Sequence, residues 1–454
     1  MLSRDSKVQG RNSFERSESD FISKKHDRQT GARSEPTPGK QGRAKLKIAR
    51  IIARLNTGGP ARHVVWATHG LRDDFDTTLI CGYVSPGEGD MSYFAAQYGV
   101  EPYFIPEMSR ELSPKDVVSL WKLYRLLRRE KPDIIHTHTA KAGTLGRTAG
   151  FIYRWLTPGT LIGKPRRVRF IHTYHGHVFH SYYGSLKTRV FLTIEKILAA
   201  LATDKIFVLS EQQRGEIHEQ FGVGRAGQFQ IVPLGVDLQP FAESESRRHV
   251  LRDEIGAAGD EILVGIVGRL TEVKNHPLFL RVAQLWQERK QTGFPPLRFI
   301  VIGDGHLRET LEEQAKELAL ENIIFLGERD DPHNFYPGLD IVALTSFNEG
   351  TPLSLIEAMA NGQAVISTAV GGVIDLLGKP DGSKNGDLSY IMGERGILTR
   401  SDDAEGFFQG LTCLVSDVKL RESFARRGKE FVAAKYSVER LLSDFRKLYK
   451  SFEF

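Results

Sequence analysis

The sequence predicts an α/β protein of two Rossmann-like, doubly wound domains facing a central cleft. Three observations lead there. The 454 residues leave room for two domains at roughly 100–200 residues each. From residue 45 onward, short apolar runs alternate with helical blocks, the pattern of a parallel sheet with crossover helices. That alternation is interrupted by a crossover segment, IVPLGVDLQPF, and then restarts.

Residues 1–44 are rich in Ser, Arg, Lys, Gly and Pro and poor in apolar side chains, so they are expected to be a disordered basic tail. The first domain is expected over 45–238. LKIARIIARLN reads as a buried strand ended by TGGP, and ARHVVWATHGLRD has helical period. The strand TTLICGYV, the helix SPKDVVSLWKLYRLLRREKP and the strand DIIHTH follow. A helix from about Ala140, the strand VRFIHTYHG, the helix FLTIEKILAALA and the strand DKIFVLS complete it. The second domain, over 239–435, repeats the scheme: ILVGIVGRL, the helix NHPLFLRVAQLWQERK, LRFIVIGDG, the helix HLRETLEEQAKEL, IIFLGE, LDIVALTS, a helix after Glu349, AVISTAVGG and ILT. YSVERLLSDFRKLYKSF supplies a closing helix, residues 436–454. Ligands of such sheets bind beyond the carboxyl ends of the strands. Gly58-Gly59 and the Glu349 loop each follow a strand, so both are expected to line the cleft.

Composition narrows the class. Forty per cent hydrophobic and 26% charged residues are ordinary for a globular protein. The two cysteines, Cys81 and Cys413, lie far apart, which makes neither a disulfide framework nor a metal box and fits a reducing cytoplasm. No uninterrupted apolar span reaches about 18 residues, and the first 20 residues hold no apolar signal region. The net charge is +6 and unevenly spread. From Ile134 to Ile194 there is no Asp or Glu, while Lys141, Arg147, Arg154, Lys164, Arg166, Arg167, Arg169, Lys187 and Arg189 lie within it. A field of one sign recruits anions. A diphosphate donor, a phospholipid face and a lipid-diphosphate acceptor all fit. Nucleic acid fits poorly, because there is no helix-turn-helix or aromatic platform and much of the charge is tail. VVSLWKLYRLLRREK and FIYRWLTPGTLIGKPRRVRF mix aromatic and basic side chains, which adds an anionic membrane surface as an expected partner.

Four motifs carry the chemistry. In EGTPLSLIEAMANG, Glu349 and Glu357 stand eight residues apart, with Gly350, Thr351, Leu353 and Ser354 between them. Thr351 is expected to be the N-cap and Pro352 the first helical residue. The N–H groups of Leu353 to Leu355 then face the cleft, where a helix terminus attracts phosphate and carboxylates grip sugar hydroxyls. In GRLTEVKNH, Arg269 and Lys274 follow a strand and suit a diphosphate clamp, a fork and a point charge. Gly58-Gly59 is a turn through which backbone can approach phosphate. HTYHGHVFH carries His172, His175, His177 and His180. With no cysteine or carboxylate beside them, they are read as structural, except that His175 foremost meets the ligand. No metal site is expected there.

In combination, Lys274 with Arg269, the Glu349–Glu357 pair and GGP after the first strand resemble glycosyltransferase family four, over about residues 45–454. The resemblance implies the GT-B fold and a retaining transferase that takes its sugar from a UDP- or GDP-sugar, with no cofactor and no metal. It implies that Gly58 and Gly59 approach the donor phosphates and that Arg269 and Lys274 hold the diphosphate. Glu349, with the amides after Gly350, holds the transferred sugar, and Glu357 the ribose. His175 sits beside the anomeric centre, with His177 as the alternative register. HTYHGHVFH resembles bacterial exopolysaccharide and cell-envelope members. The expected acceptor is therefore lipid-linked or saccharide, and the expected location is cytoplasmic, peripheral on the inner face of the membrane. A sugar-nucleotide epimerase of the same architecture is the alternative. The polar loop at 378–396 is longer than in many relatives.

Overall fold

The computed structural model describes residues 45–85, 88–108, 113–176, 185–241, 245–289, 293–378 and 389–452. The tail at 1–44, His177, His180 and most of the polar loop lie outside them. Residues 45–454 form one compact unit.

Seven strands make the first sheet: β1 (Lys47–Arg54), β2 (Asp76–Gly82), β3 (Tyr103–Phe104), β4 (Ile134–His138), β5 (Arg169–Thr173), β6 (Lys205–Val208) and β7 (Phe229–Ile231). Their order is β3-β2-β1-β4-β5-β6-β7, and every pairing is parallel. Seven more make the second: β8 (Ile262–Val267), β9 (Leu297–Ile302), β10 (Ile323–Gly327), β11 (Ile341–Leu344), β12 (Ala364–Thr368), β13 (Tyr390–Met392) and β14 (Ile397–Thr399). Their order is β10-β9-β8-β11-β12-β14-β13. In both sheets the order turns back beside the first strand, which is the doubly wound topology predicted. The central strands are buried on both faces because helices cover both, so they read as unbroken apolar runs.

Three short edge strands, β3, β7 and β13, are absent from the sequence reading. Tyr390–Met392, taken as part of a polar loop, is an antiparallel edge strand on β14. Three β-forming residues amid polar ones give no local signal; the pairing partner supplies the structure.

Three helices position the site: α1 (Gly59–Gly70), α2 (Leu353–Ala360) and α3 (Val438–Lys450). Gly58, with φ +149°, makes the turn from β1 into α1 in a conformation other residues rarely adopt, and Pro60 fits the first turn of α1. The α3 helix is part of the first sheet's core. Leu441, Phe445 and Tyr449 are fully buried among Ile48, Ala67, Phe75, Ile134, Ile171 and Phe207. Burying each such side chain contributes about 1.5–3 kcal/mol. Tyr449 also ties the core to the strand ends. Its hydroxyl accepts from Arg50 Nη2 at 2.9 Å and meets His136 Nδ1 at 2.6 Å. His136 Nε2 lies 2.7 Å from Thr173 Oγ1.

Among the described residues no helix is long and apolar enough to cross a membrane.

Candidate active site

The second sheet contributes two loops that are stitched together. After β8, residues Glu272–Lys274 form a single 3-10 turn, and Asn275, at φ 49°, hands the chain to the helix His276–Glu288. After β11 runs the Glu349 loop. Phe347 N donates to Val273 O at 2.9 Å, and Thr345 Oγ1 donates to Lys274 O at 2.9 Å. These bonds fix the geometry of one ion pair: Lys274 Nζ lies 2.5 Å from Glu349 Oε1, partly buried. Ser346 Oγ donates to the same oxygen at 2.6 Å. Arg269 is exposed at the end of β8 and makes no ion pair with a described residue.

The helix start differs from the expectation by one position. Pro352, extended at ψ 112°, occupies the N-cap, and Leu353 is the first helical residue. Thr351 does not cap; its Oγ1 lies against Gly372, whose N–H donates to Gly350 O at 2.7 Å. With no side-chain cap, the first amides of α2 are left for other partners. Four residues on, Glu357 is held by two groups, Arg62 Nη1 at 3.3 Å from Oε1 and Tyr336 Oη at 3.3 Å from Oε2. Burial raises its pKa, and Arg62 opposes that rise.

The first sheet faces these loops closely. A Cβ on Gly59 would stand 3.0 Å from Leu353 Cδ1, and one on Gly350 would stand 3.2 Å from Gly176 Cα. Glycine at both places lets the two halves meet. Gln213 Nε2 donates to Gly176 O at 2.9 Å, and Leu209, Ser210, Gln213, Gly350, Thr351 and Gly372 line a small pocket there. Thus Gly59, His175, Gly350, Thr351, Leu353, Ser354, Lys274, Glu349 and Glu357 gather where the halves face. Gly58 stands behind Gly59 as the helix turn.

The histidines sort differently from their order in sequence. His172 is buried against Gly143, with Thr137 Oγ1 2.8 Å from its Nδ1. His175 pairs instead with His138, Nε2 to Nδ1 at 2.8 Å, and burial lowers its pKa to about 3. His63 of α1 packs against both rings. Sequence reading missed His63, His138, Arg62, Tyr336 and Ser346. The available signal was position: HTH closes β4, HTYH closes β5 and runs two residues beyond it, and Arg62-His63 follow the Gly-rich turn.

The acid-free stretch is also less charged than it looks. Arg147 is fully buried against Glu195, 2.7 Å away, and Lys141 pairs with Asp116 at 2.8 Å. Lys164, Arg167 and Arg189 remain exposed.

Two facing doubly wound sheets, with a cation, a carboxylate and an uncapped helix start at the seam, define a two-domain α/β transferase of the GT-B type. The model of Glycosyltransferase Family 4 matches residues 57–240, and that of Glycosyl transferases group 1 matches 248–431. The chain belongs to glycosyltransferase family four. The Escherichia coli UDP-Gal:alpha-D-GlcNAc-diphosphoundecaprenol alpha-1,3-galactosyltransferase is 27% identical over 90% of this chain and 98% of its own. Staphylococcus aureus CapM, a capsular polysaccharide biosynthesis glycosyltransferase, is 25% identical over 78% and 87%. Among solved structures, Anabaena HepE in complex with UDP superposes with a TM-score of 0.70 at 20% identity, over 89% of this chain and 100% of that one. It is a likeness of fold.

Proposed function

We propose that this chain transfers a sugar, with retention, from a UDP- or GDP-sugar to a lipid-linked or saccharide acceptor in envelope or exopolysaccharide synthesis. The observation that carries the reading is the Lys274–Glu349 pair, held at 2.5 Å beside the uncapped start of α2. In this reading Lys274 and Arg269 take the diphosphate, and Gly59 lets the α1 turn approach it. Glu349 and the amides after Gly350 hold the transferred sugar, with Thr351, Leu353 and Ser354 lining the donor pocket, and Glu357 holds the ribose. His175 stands beside the anomeric carbon. The C–O bond to the diphosphate breaks while the acceptor hydroxyl attacks on the same face, and a leaving phosphate oxygen takes the hydroxyl proton. Charge grows on the diphosphate, so fixed cations and a helix terminus stabilise the transition state more than the ground state. No step requires a metal or cofactor. The relatives described above are named as transferases, and one is named for a UDP-sugar and a polyprenyl-diphosphate acceptor, which supports this reading over the epimerase.

The membrane part of the proposal rests on the helix Asp116–Glu130. Val117, Val118 and Trp121 are exposed on it, and the Arg125 guanidinium lies 4.7 Å over the Trp121 ring. Such a face suits the inner surface of an anionic bilayer. Co-sedimentation with phosphatidylglycerol vesicles should fall several-fold in Trp121→Ser.

The deciding experiment is a thermal-shift screen against UDP, GDP and their sugar conjugates, run with EDTA and repeated with Lys274→Ala. Stabilisation by one nucleotide family, lost in the variant, supports the donor site. No shift at millimolar nucleotide would sink it.

A further inference from the structure

Three imidazoles from three separate elements converge just behind the seam. His63 on α1, His138 at the end of β4 and His175 beyond β5 each offer a ring nitrogen, and these nitrogens lie within 4.8 Å of one another. His138 Nδ1 and His175 Nε2 are 2.8 Å apart. The His63 ring centroid is 4.9 Å from that of His175 and 5.7 Å from that of His138.

What these rings lack is as informative as what they touch. His63 and His138 are almost wholly buried. Neither nitrogen of His63 has a partner among the described residues, and neither do His138 Nε2 or His175 Nδ1. A buried polar atom without a partner costs about 1–3 kcal/mol. Four in one cluster is a cost that packing alone does not explain. Burial keeps all three rings neutral, the form in which imidazole carries the lone pair a metal requires.

We propose that His63, His138 and His175 bind one divalent cation of the zinc class, with a fourth position open toward the seam. Three histidines with one open position make a familiar donor set for this ion. At a Zn–N distance of about 2.0–2.1 Å, tetrahedral ligand nitrogens stand about 3.3 Å apart. The 2.8 Å pair therefore spreads slightly and the widest pair draws in, within reach of side-chain torsions. The proton now shared between His138 and His175 moves to the orphan nitrogen of the ring that carries it, so both bridging nitrogens turn lone pairs to the ion and no net proton leaves. Access is from the seam, because His175 is the least buried of the three and Gly176 beside it abuts Gly350.

The ion would not serve the transfer. It fixes the His175 ring, which the proposed function sets beside the anomeric carbon, so bound zinc inhibits. That consequence rests on the proposed function; the binding site itself does not.

The test uses the full chain, stripped with EDTA and titrated with Co2+, and needs neither donor nor acceptor. One cobalt per chain is expected, with the intense visible absorption of four-coordinate cobalt. His63→Gln should weaken it by more than about tenfold, whereas His306→Gln, at an exposed histidine paired with Glu272, should not. Pale six-coordinate cobalt, or binding indifferent to His63→Gln, overturns the site and leaves ordered water as the partner of these rings. Should His63→Gln fail to fold by circular dichroism, His63→Cys retains a ligand and should add a thiolate-to-cobalt charge-transfer band; its absence overturns the site equally. In the transferase assay, saturating Zn2+ should lower turnover at least about tenfold, reversibly with EDTA. Cobalt bound without inhibition upholds the site and removes His175 from the anomeric centre.

Discussion

Arg62 of α1 and Glu357 of α2 are joined across the seam, Nη1 to Oε1 at 3.3 Å. The two ends of this pair are unequal. The Glu357 side chain is only 12% exposed, and its second oxygen meets Tyr336 Oη, whereas the Arg62 side chain is 38% exposed. Solvent screens the arginine's share, and the carboxylate bears the desolvation.

That asymmetry sets the first prediction. Glu357→Gln keeps the shape but loses a charged hydrogen-bonding group worth about 1.5–3 kcal/mol. Nucleotide affinity should then fall by more than about tenfold. Arg62→Ala should cost no more than about fivefold, as a screened pair does. Calorimetric titration with UDP and GDP measures both. Unchanged affinity in Glu357→Gln would take the ribose away from Glu357.

Lys274→Ala and Glu349→Ala should each lower turnover by about two orders of magnitude or more, the usual loss for a charged transition-state contact. Far-UV circular dichroism should stay native, because the pair is held by loop bonds from Thr345 and Phe347 that neither side chain makes. A collapsed spectrum would make the pair structural.

His276 gives a pH signature. Burial, assisted by neighbouring Lys274, lowers its pKa from 6.5 to about 4. The unfolded chain therefore binds the proton first as pH falls, so the stability contributed above pH 6.5 is lost on the way down to about 4. The slope is about 1.4 kcal/mol per pH unit for one such group. Urea melts between pH 7 and 4.5 should show a shallower acid loss in His276→Leu than in the unaltered chain. Parallel curves would refute the assignment.

Phe445→Ala removes a fully buried ring from the first sheet's core. It should cost about 3–5 kcal/mol of stability, read from denaturant midpoints, while Lys274 and Glu349 keep their geometry. A cost below about 1 kcal/mol would mean that α3 detaches without consequence.

Much of the architecture was legible because periodicity is local. Runs such as ILVGIVG and LDIVAL announce buried parallel strands, and the crossover marks where the pattern restarts. The residues that meet at the seam were legible only where a strand end or helix start flagged them, as with Lys274, Glu349 and Gly59. Arg62 and Glu357 stand 295 positions apart, and no short-range pattern records such a meeting. The histidines show the same limit: the reading set His175 apart from His172, which faces Gly143, but its partners His63 and His138 lie on elements that no local pattern links to it. The Thr351 cap failed because Pro352 is extended and shifts the helix start by one residue. The acid-free stretch overstated the free charge, since Glu195, just after it, and Asp116, at the start of the preceding helix, neutralise Arg147 and Lys141.

The seat of α3 against β1, β4, β5 and β6 also orders events on the ribosome. The first sheet is synthesised early, yet the side chains that close its floor come more than 200 positions after β7. At about 5–20 residues per second, that half waits roughly 10–40 s with apolar surface uncovered. A nascent chain in this interval is a natural client for chaperones that hold exposed apolar surface, and a stop codon anywhere before Val438 would spoil the half that was made first.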